Sequence, residues 1–237
     1  MSDTLISTEP RTPENQDPLR VRAAIPAAPR TQAFEVDCAL VYEVAGPTEF
    51  LFQIHAHNGM DQRVISESLA ISPEVPSHVF EHPSVGHRYL RLHAEAGLFE
   101  LRYLARVERT AAPVDLNAPE VPIAQLPDEV LRNLSPTRYC ESDLMGRVAQ
   151  KMFGDLQPGY ARVQAIIDWI HVNIDYQIGS TQATTTAREV FVQRAGVCRD
   201  FAHLAITFCR ALNIPARLVV GYAKFEDPPP DFHAVIE

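Results

Sequence analysis

Near residue 110 the hydrophobic period of this chain changes from two to about 3.6, and a proline-containing stretch, TAAPVDLNAPEVP, separates the two regimes. The change divides the chain into a β-rich part and a helical part, so the class is α+β. Upstream, in GLFELRYLARVE, residues Phe99, Leu101, Tyr103, Ala105 and Val107 share one face while Glu100, Arg102, Arg106 and Glu108 dominate the other. That is a half-buried strand. FLFQIHAH reads the same way, with Phe50, Phe52, Ile54 and Ala56 opposed to Leu51, Gln53, His55 and His57. About six short strands are expected over residues 31–110, with turns near Gly46, Gly59, Pro73, Gly86 and Gly97, as an antiparallel meander or sandwich.

A linker is expected over 111–135, and helical spacing comes after it. In ESDLMGRVAQKMFG, Ser142 is placed to cap a helix carrying Leu144, Val148 and Met152 on one stripe and ending at Gly154. YARVQAIIDWIHVNIDY gives an amphipathic stripe of Val163, Ile166, Ile167, Ile170 and Ile174. A third helix starting near Cys198 is apolar nearly all round, through Phe201, Leu204, Ala205, Phe208 and Leu212, and is expected at the centre of the core. ARLVVGYA then reads as a strand, KFEDPPP as a loop and DFHAVIE as the start of another strand. Residues 1–30, polar and rich in proline with no apolar leader segment, are expected to be a disordered tail.

Composition narrows the function. A formal charge of -9 argues against nucleic acid or an anionic membrane as the main partner. No apolar run reaches the roughly 20 residues of a membrane-spanning helix. The four cysteines, at 38, 140, 198 and 209, are too few and too irregular for a disulfide framework, so a reducing, cytoplasmic setting is expected. Cys198 and Cys209 lie about 16 Å apart along one helix and share neither a disulfide nor a metal.

Cys198 is the residue with chemistry to offer. It comes just after Gly196, at the first turn of a buried helix, where unpaired N–H groups and the positive dipole end favour thiolate. A nucleophilic thiol needs a base. His203 sits roughly 140° around and 7.5 Å along the helix from Cys198, so it points elsewhere. His233, on the last strand, is the preferred base, since a strand can pack across a helix N-terminus. The plain alternative is a buried structural cysteine. Asp200, in the same first turn, suits the helix dipole and its free N–H groups better than catalysis, and with Tyr222 it is carried as a candidate for the substrate cleft. Six of the nine histidines fall between residues 55 and 93, but the two-residue spacing of His55 and His57 reads as a polar sheet face rather than a metal site. No metal or other cofactor is expected.

The segments GVCRDFAHL, CRALNIPARLVVGYA and DFHAVIE, with SPTRYCESD, DWIHVNIDY and TTTAREVFVQRAGVC upstream, closely resemble the transglutaminase-like superfamily, in the microbial branch related to cysteine proteases. The resemblance spans about residues 32–237. It implies a β-rich N-terminal domain before a papain-like core at 136–237, a Cys-His-Asp triad, and attack on a carboxamide carbon of a protein or peptide, at a glutamine side chain or a peptide bond. Cys198 matches the family nucleophile and His233 its base. The family's Asp, in a later strand, has no counterpart here, and the C-terminal sheet reads as truncated. A protease, deamidase or transglutaminase is the implied activity; an inactive interaction module built on the same fold is the rival.

Overall fold

The computed structural model describes residues 30–83, 86–111, 113–223 and 231–237. Six strands come first: β1 (Arg30–Val44), β2 (Thr48–Phe52), β3 (Gln62–Ser72), β4 (Ser77–Glu81), β5 (Arg88–Ala94) and β6 (Gly97–Ala111). They form two three-stranded sheets of order β1-β6-β3 and β2-β5-β4, with every pairing antiparallel. The sheets face each other as a sandwich. Phe99, Leu101, Tyr103, Ala105 and Val107 all point into it, as the alternation of β6 requires, and meet Phe52, Leu90, Leu92 and Ala94 from the other sheet. Phe50 stacks between Phe52 and Phe99 with ring centroids 5.1 and 5.3 Å away. The strand expected through His57 stops at Phe52, and residues 53–61 turn away from it. Gly86 explains part of this: His57 Nδ1 lies 2.9 Å from its carbonyl oxygen, so His57 belongs to the turn before β5 and not to a sheet face.

A partly exposed polar group joins the two sheets. Glu67 on β3 takes two hydrogen bonds from Arg88 on β5, at 2.8 and 2.5 Å, and a third from the Tyr103 hydroxyl at 2.8 Å. The Arg88 guanidinium holds the Glu67 carboxyl below its usual range, while burial pushes the Tyr103 phenol up to about 12. The group is charge-balanced, and the bond to Glu67 satisfies the hydroxyl of Tyr103, the one of the three that is buried.

Residues 113–135 carry only 3-10 turns at Ile123–Gln125 and Arg132–Leu134 and the one-turn helix α1 (Asp128–Leu131). The segment is pinned to the helical region. Tyr160 N–H donates to Ala118 O at 2.9 Å, Arg162 reaches Glu120 at 3.1 Å, and Arg210 donates to Ser135 O at 2.8 Å. That region comprises α2 (Ser142–Phe153), α3 (Tyr160–Asn173), β7 (Asp175–Tyr176), α4 (Ala187–Gln193), β8 (Ala195–Gly196), α5 (Cys198–Ala211), β9 (Leu218–Ala223) and β10 (Asp231–Ile236). Helix α5 is central, with every residue from Ala202 to Cys209 buried. Helices α2, α3 and α4 and strand β10 pack around it. Burying side chains such as Leu204, Ile206 and Phe208 contributes about 1.5–3 kcal/mol each.

Two helix details differ from the sequence reading. In α2 the buried stripe is Ser142, Met145, Ala149 and Phe153, while Leu144 is 56% exposed. Ser142 is the first helical residue rather than the cap, and Val148 and Met152 of the expected stripe lie at the edge of the packed face. Helix α4 lies within TTTAREVFVQ, where Thr186 and Glu189 close a capping box. The expected tail up to residue 29 and the expected loop at 224–230 lie outside the described residues.

Candidate active site

The approach to α5 is built by a parallel pair of short strands. Asp175 and Tyr176 of β7 pair with Ala195 and Gly196 of β8, and Gln177 N–H donates to Gly196 O at 2.9 Å. The chain leaves Gly196, passes Val197 in extended backbone, and enters the helix at Cys198. Gly196 is required by a close approach: a Cβ there would lie 2.8 Å from the Cβ of Asp200.

Asp200 is fully buried and organises this corner. Its Oδ2 accepts from Val197 N–H at 2.9 Å and from the Thr181 hydroxyl at 2.5 Å. Its Oδ1 accepts from Arg199 Nε at 3.2 Å and Nη2 at 3.1 Å. Arg199 also donates to Gln182 O at 3.1 Å, so the loop between β7 and α4 is tied to the first turn of the helix. A carboxylate at the third helical position satisfies an orphan N–H and favours the dipole. Arg199 balances its charge. With no exposed surface, Asp200 lines no cleft; its role is to shape the turn that presents Cys198. Thr181 and Arg199 escaped the sequence reading because neither belongs to a motif, and only the acid at the third position of the helix points to them.

Among the four cysteines, all free thiols, Cys198 is the one that is not buried. Cys38 lies inside the sandwich, and Cys140 and Cys209 lie in the helical core. Burial pushes the Cys209 thiol up to about 12. His203 is buried away from the helix start, its ring stacked on Tyr139 at 5.3 Å, and burial lowers its pKa.

Strand β10 lies antiparallel to β9, with His233 opposite Gly221, and packs on α5 through the buried Ala234 and through Ile236. His233 is partly buried, and that desolvation lowers its pKa, favouring the neutral imidazole. Tyr222, across from Phe232, packs against it with ring centroids 5.3 Å apart, and its hydroxyl donates to Ile54 O of the sandwich at 2.5 Å. Among the described residues no three histidine, cysteine or acidic side chains are placed to hold a metal ion. A surface depression of about 410 Å³ runs along α4 past Arg188, Glu189 and Val192 and is lined by neither Cys198 nor His233. No helix of the described residues is long and apolar enough to cross a membrane.

A half-buried thiol at the start of a buried helix, with a histidine strand packed on that helix, is the architecture of the transglutaminase-like superfamily, to which the chain belongs. The superfamily core profile matches residues 146–237, and that of the bacterial transglutaminase N-terminal domain matches residues 32–129. Among solved structures, a putative cysteine protease from Cytophaga hutchinsonii superposes with a TM-score of 0.84 at 40% identity, covering 88% of this chain and 73% of that one. Uncharacterized proteins of Mycobacterium tuberculosis and Mycobacterium leprae are 34% identical over 105 and 96 residues, 44% and 40% of this chain. The chain spans about a third of the length of those mycobacterial relatives, 32% and 33%.

Proposed function

We propose that this chain carries a thiol-dependent amide hydrolase or acyl-transfer activity, with Cys198 as nucleophile and His233 as base. The observation that supports it best is the placement of the one cysteine that is not buried at the start of the helix on which the His233 strand packs. In this reading residues 31–110 form an N-terminal domain, 111–135 a linker and 136–237 the catalytic core.

Neutral His233 takes the thiol proton, and Cys198 sulfur adds to a carboxamide carbon of a protein or peptide. The Cys198 backbone N–H at the helix start is the candidate donor to the developing oxyanion. His233 returns the proton to the departing amine or ammonia, leaving a thioester. Water then releases an acid, or a second amine takes the acyl group. The first outcome is protease or deamidase chemistry and the second is cross-linking. The free cysteines favour a reducing, cytoplasmic location.

Iodoacetamide labelling, located by peptide mass spectrometry at neutral pH, tests the nucleophile with Cys209 as internal reference. Cys198 is expected to react fastest, and His233→Ala to slow turnover of an amide substrate by about 10²–10⁴-fold, the range for loss of a general base. New peptide ends, released ammonia or an incorporated amine then distinguish the three activities. Labelling of Cys198 no faster than Cys209 would reject the reading in favour of an inactive interaction module.

A further inference from the structure

The hairpin that carries His233 has two supports, and one of them is the sandwich. Strands β9 and β10 form a two-stranded sheet of six residues each, which is marginal in isolation. Helix α5 packs on β10. In addition, the Tyr222 hydroxyl donates to Ile54 O at 2.5 Å. Ile54 is 5% exposed, and the backbone just beyond it is held by two further bonds. Ala56 N–H donates to the Tyr103 hydroxyl at 3.1 Å, and Arg88, locked to Glu67, donates to Ala56 O at 3.0 Å. The acceptor of the Tyr222 bond therefore lies two residues from a backbone position braced by two partly buried bonds. Burial keeps the Tyr222 phenol well above its ordinary range, so it remains a donor at any working pH, with the Cys38 thiol beside it.

We propose that Tyr222 is a positioning residue: it anchors the β9–β10 hairpin to the N-terminal sandwich through Ile54 O and thereby fixes the placement of His233. Tyr222 is one residue from Gly221, which faces His233 across the hairpin and contributes no side chain to hold it. The hydroxyl bond therefore ties the sandwich to the strand position beside the histidine's partner. The proposal rests on the reading of His233 as base for its functional meaning, but its geometry is testable without activity.

The test compares the full chain with Tyr222→Phe, which keeps the ring on Phe232 and removes only the hydroxyl, and with Tyr222→Ala. Hydrogen exchange of peptides from β9 and β10, NMR titration of His233, and alkylation of Cys38 are the readouts. Both variants are expected to raise exchange in the hairpin by roughly fivefold, the worth of one hydrogen bond of about 1 kcal/mol. Exchange in α2 and α3 should not change. The His233 midpoint should rise toward that of a free imidazole, and Cys38 should become reactive. A Tyr222→Phe chain with the hairpin exchange and His233 midpoint of the unmodified protein would overturn the proposal, since ring packing would then suffice. If these readouts shift as expected while Cys198 in the unmodified chain reacts no faster than Cys209, the anchor stands and the catalytic reading falls.

Discussion

The sandwich and the helical region place their charged groups differently. In the sandwich, Glu67, Arg88 and Tyr103, each from a different strand, join the two sheets, with Tyr103 buried and Glu67 about one-third exposed. In the helical region the fully buried acid, Asp200, sits with Arg199 at one end of α5, while the middle of that helix buries Leu204, Ile206 and Phe208 together with His203 and Thr207. The first group ties strands of two sheets together, whereas the second shapes a helix end and leaves the adjacent Cys198 short of full burial.

The largest expected effect breaks the group at the start of α5. Asp200→Ala removes a fully buried carboxylate and leaves the Val197 N–H without its acceptor, while Arg199, 36% exposed, keeps Gln182 O. A loss of about 1–3 kcal/mol is expected, as for an unsatisfied buried donor, read as a lowered denaturant midpoint. Hydrogen exchange should report the loss in α5 and the loop at 177–186 while β6 keeps its protection. Equal loss in β6 would show that the two regions unfold together and that the contrast does not extend to their stability.

A smaller effect is expected from Glu67→Gln, which keeps the shape but weakens the hydrogen bonds from Arg88 and Tyr103. With the Glu67 side chain about one-third exposed, the expected cost is about 1–2 kcal/mol. Exchange should rise in β3, β5 and β6, and labelling of Cys198 should change little.

The smallest effect is a pH dependence. His203, His233 and, in the sandwich, His55 have pKa values lowered by burial. A histidine whose folded pKa lies below its unfolded value binds fewer protons when folded. Stability is therefore full above the unfolded value near 6.5 and is lost as pH falls below it toward the folded pKa. His203→Phe, which keeps a ring against Tyr139, should flatten part of that acid-side fall in thermal midpoint. An unchanged slope would assign the dependence to the other histidines.

Much of the fold is legible in the chain. The period-two pattern of β6 and the all-round apolar surface of α5 are local patterns, and each element forms where its pattern places it. The capping box at Thr186 and Glu189 is also written in the sequence and marks α4. Other features mislead for physical reasons. The stripe of α2 depends on which face the neighbouring helices leave free, so Leu144 reads as buried and is not. The apparent strand through His57 ends at Phe52 because a turn contact to Gly86 competes with alternation.

The sequence by itself determined the two regimes, the central helix and the candidate thiol, because periodicity, capping and the chemistry of a cysteine after a glycine break are properties of neighbouring residues. That Asp200 is a buried brace, that Glu67 joins the two sheets through Arg88, and that Tyr222 reaches Ile54 O, 168 positions away, emerges in the tertiary structure alone. The physical reason is the nature of the partner. A backbone carbonyl is identical at every residue, so a bond to one leaves no mark in the sequence and exists only once the two parts of the chain are folded against each other.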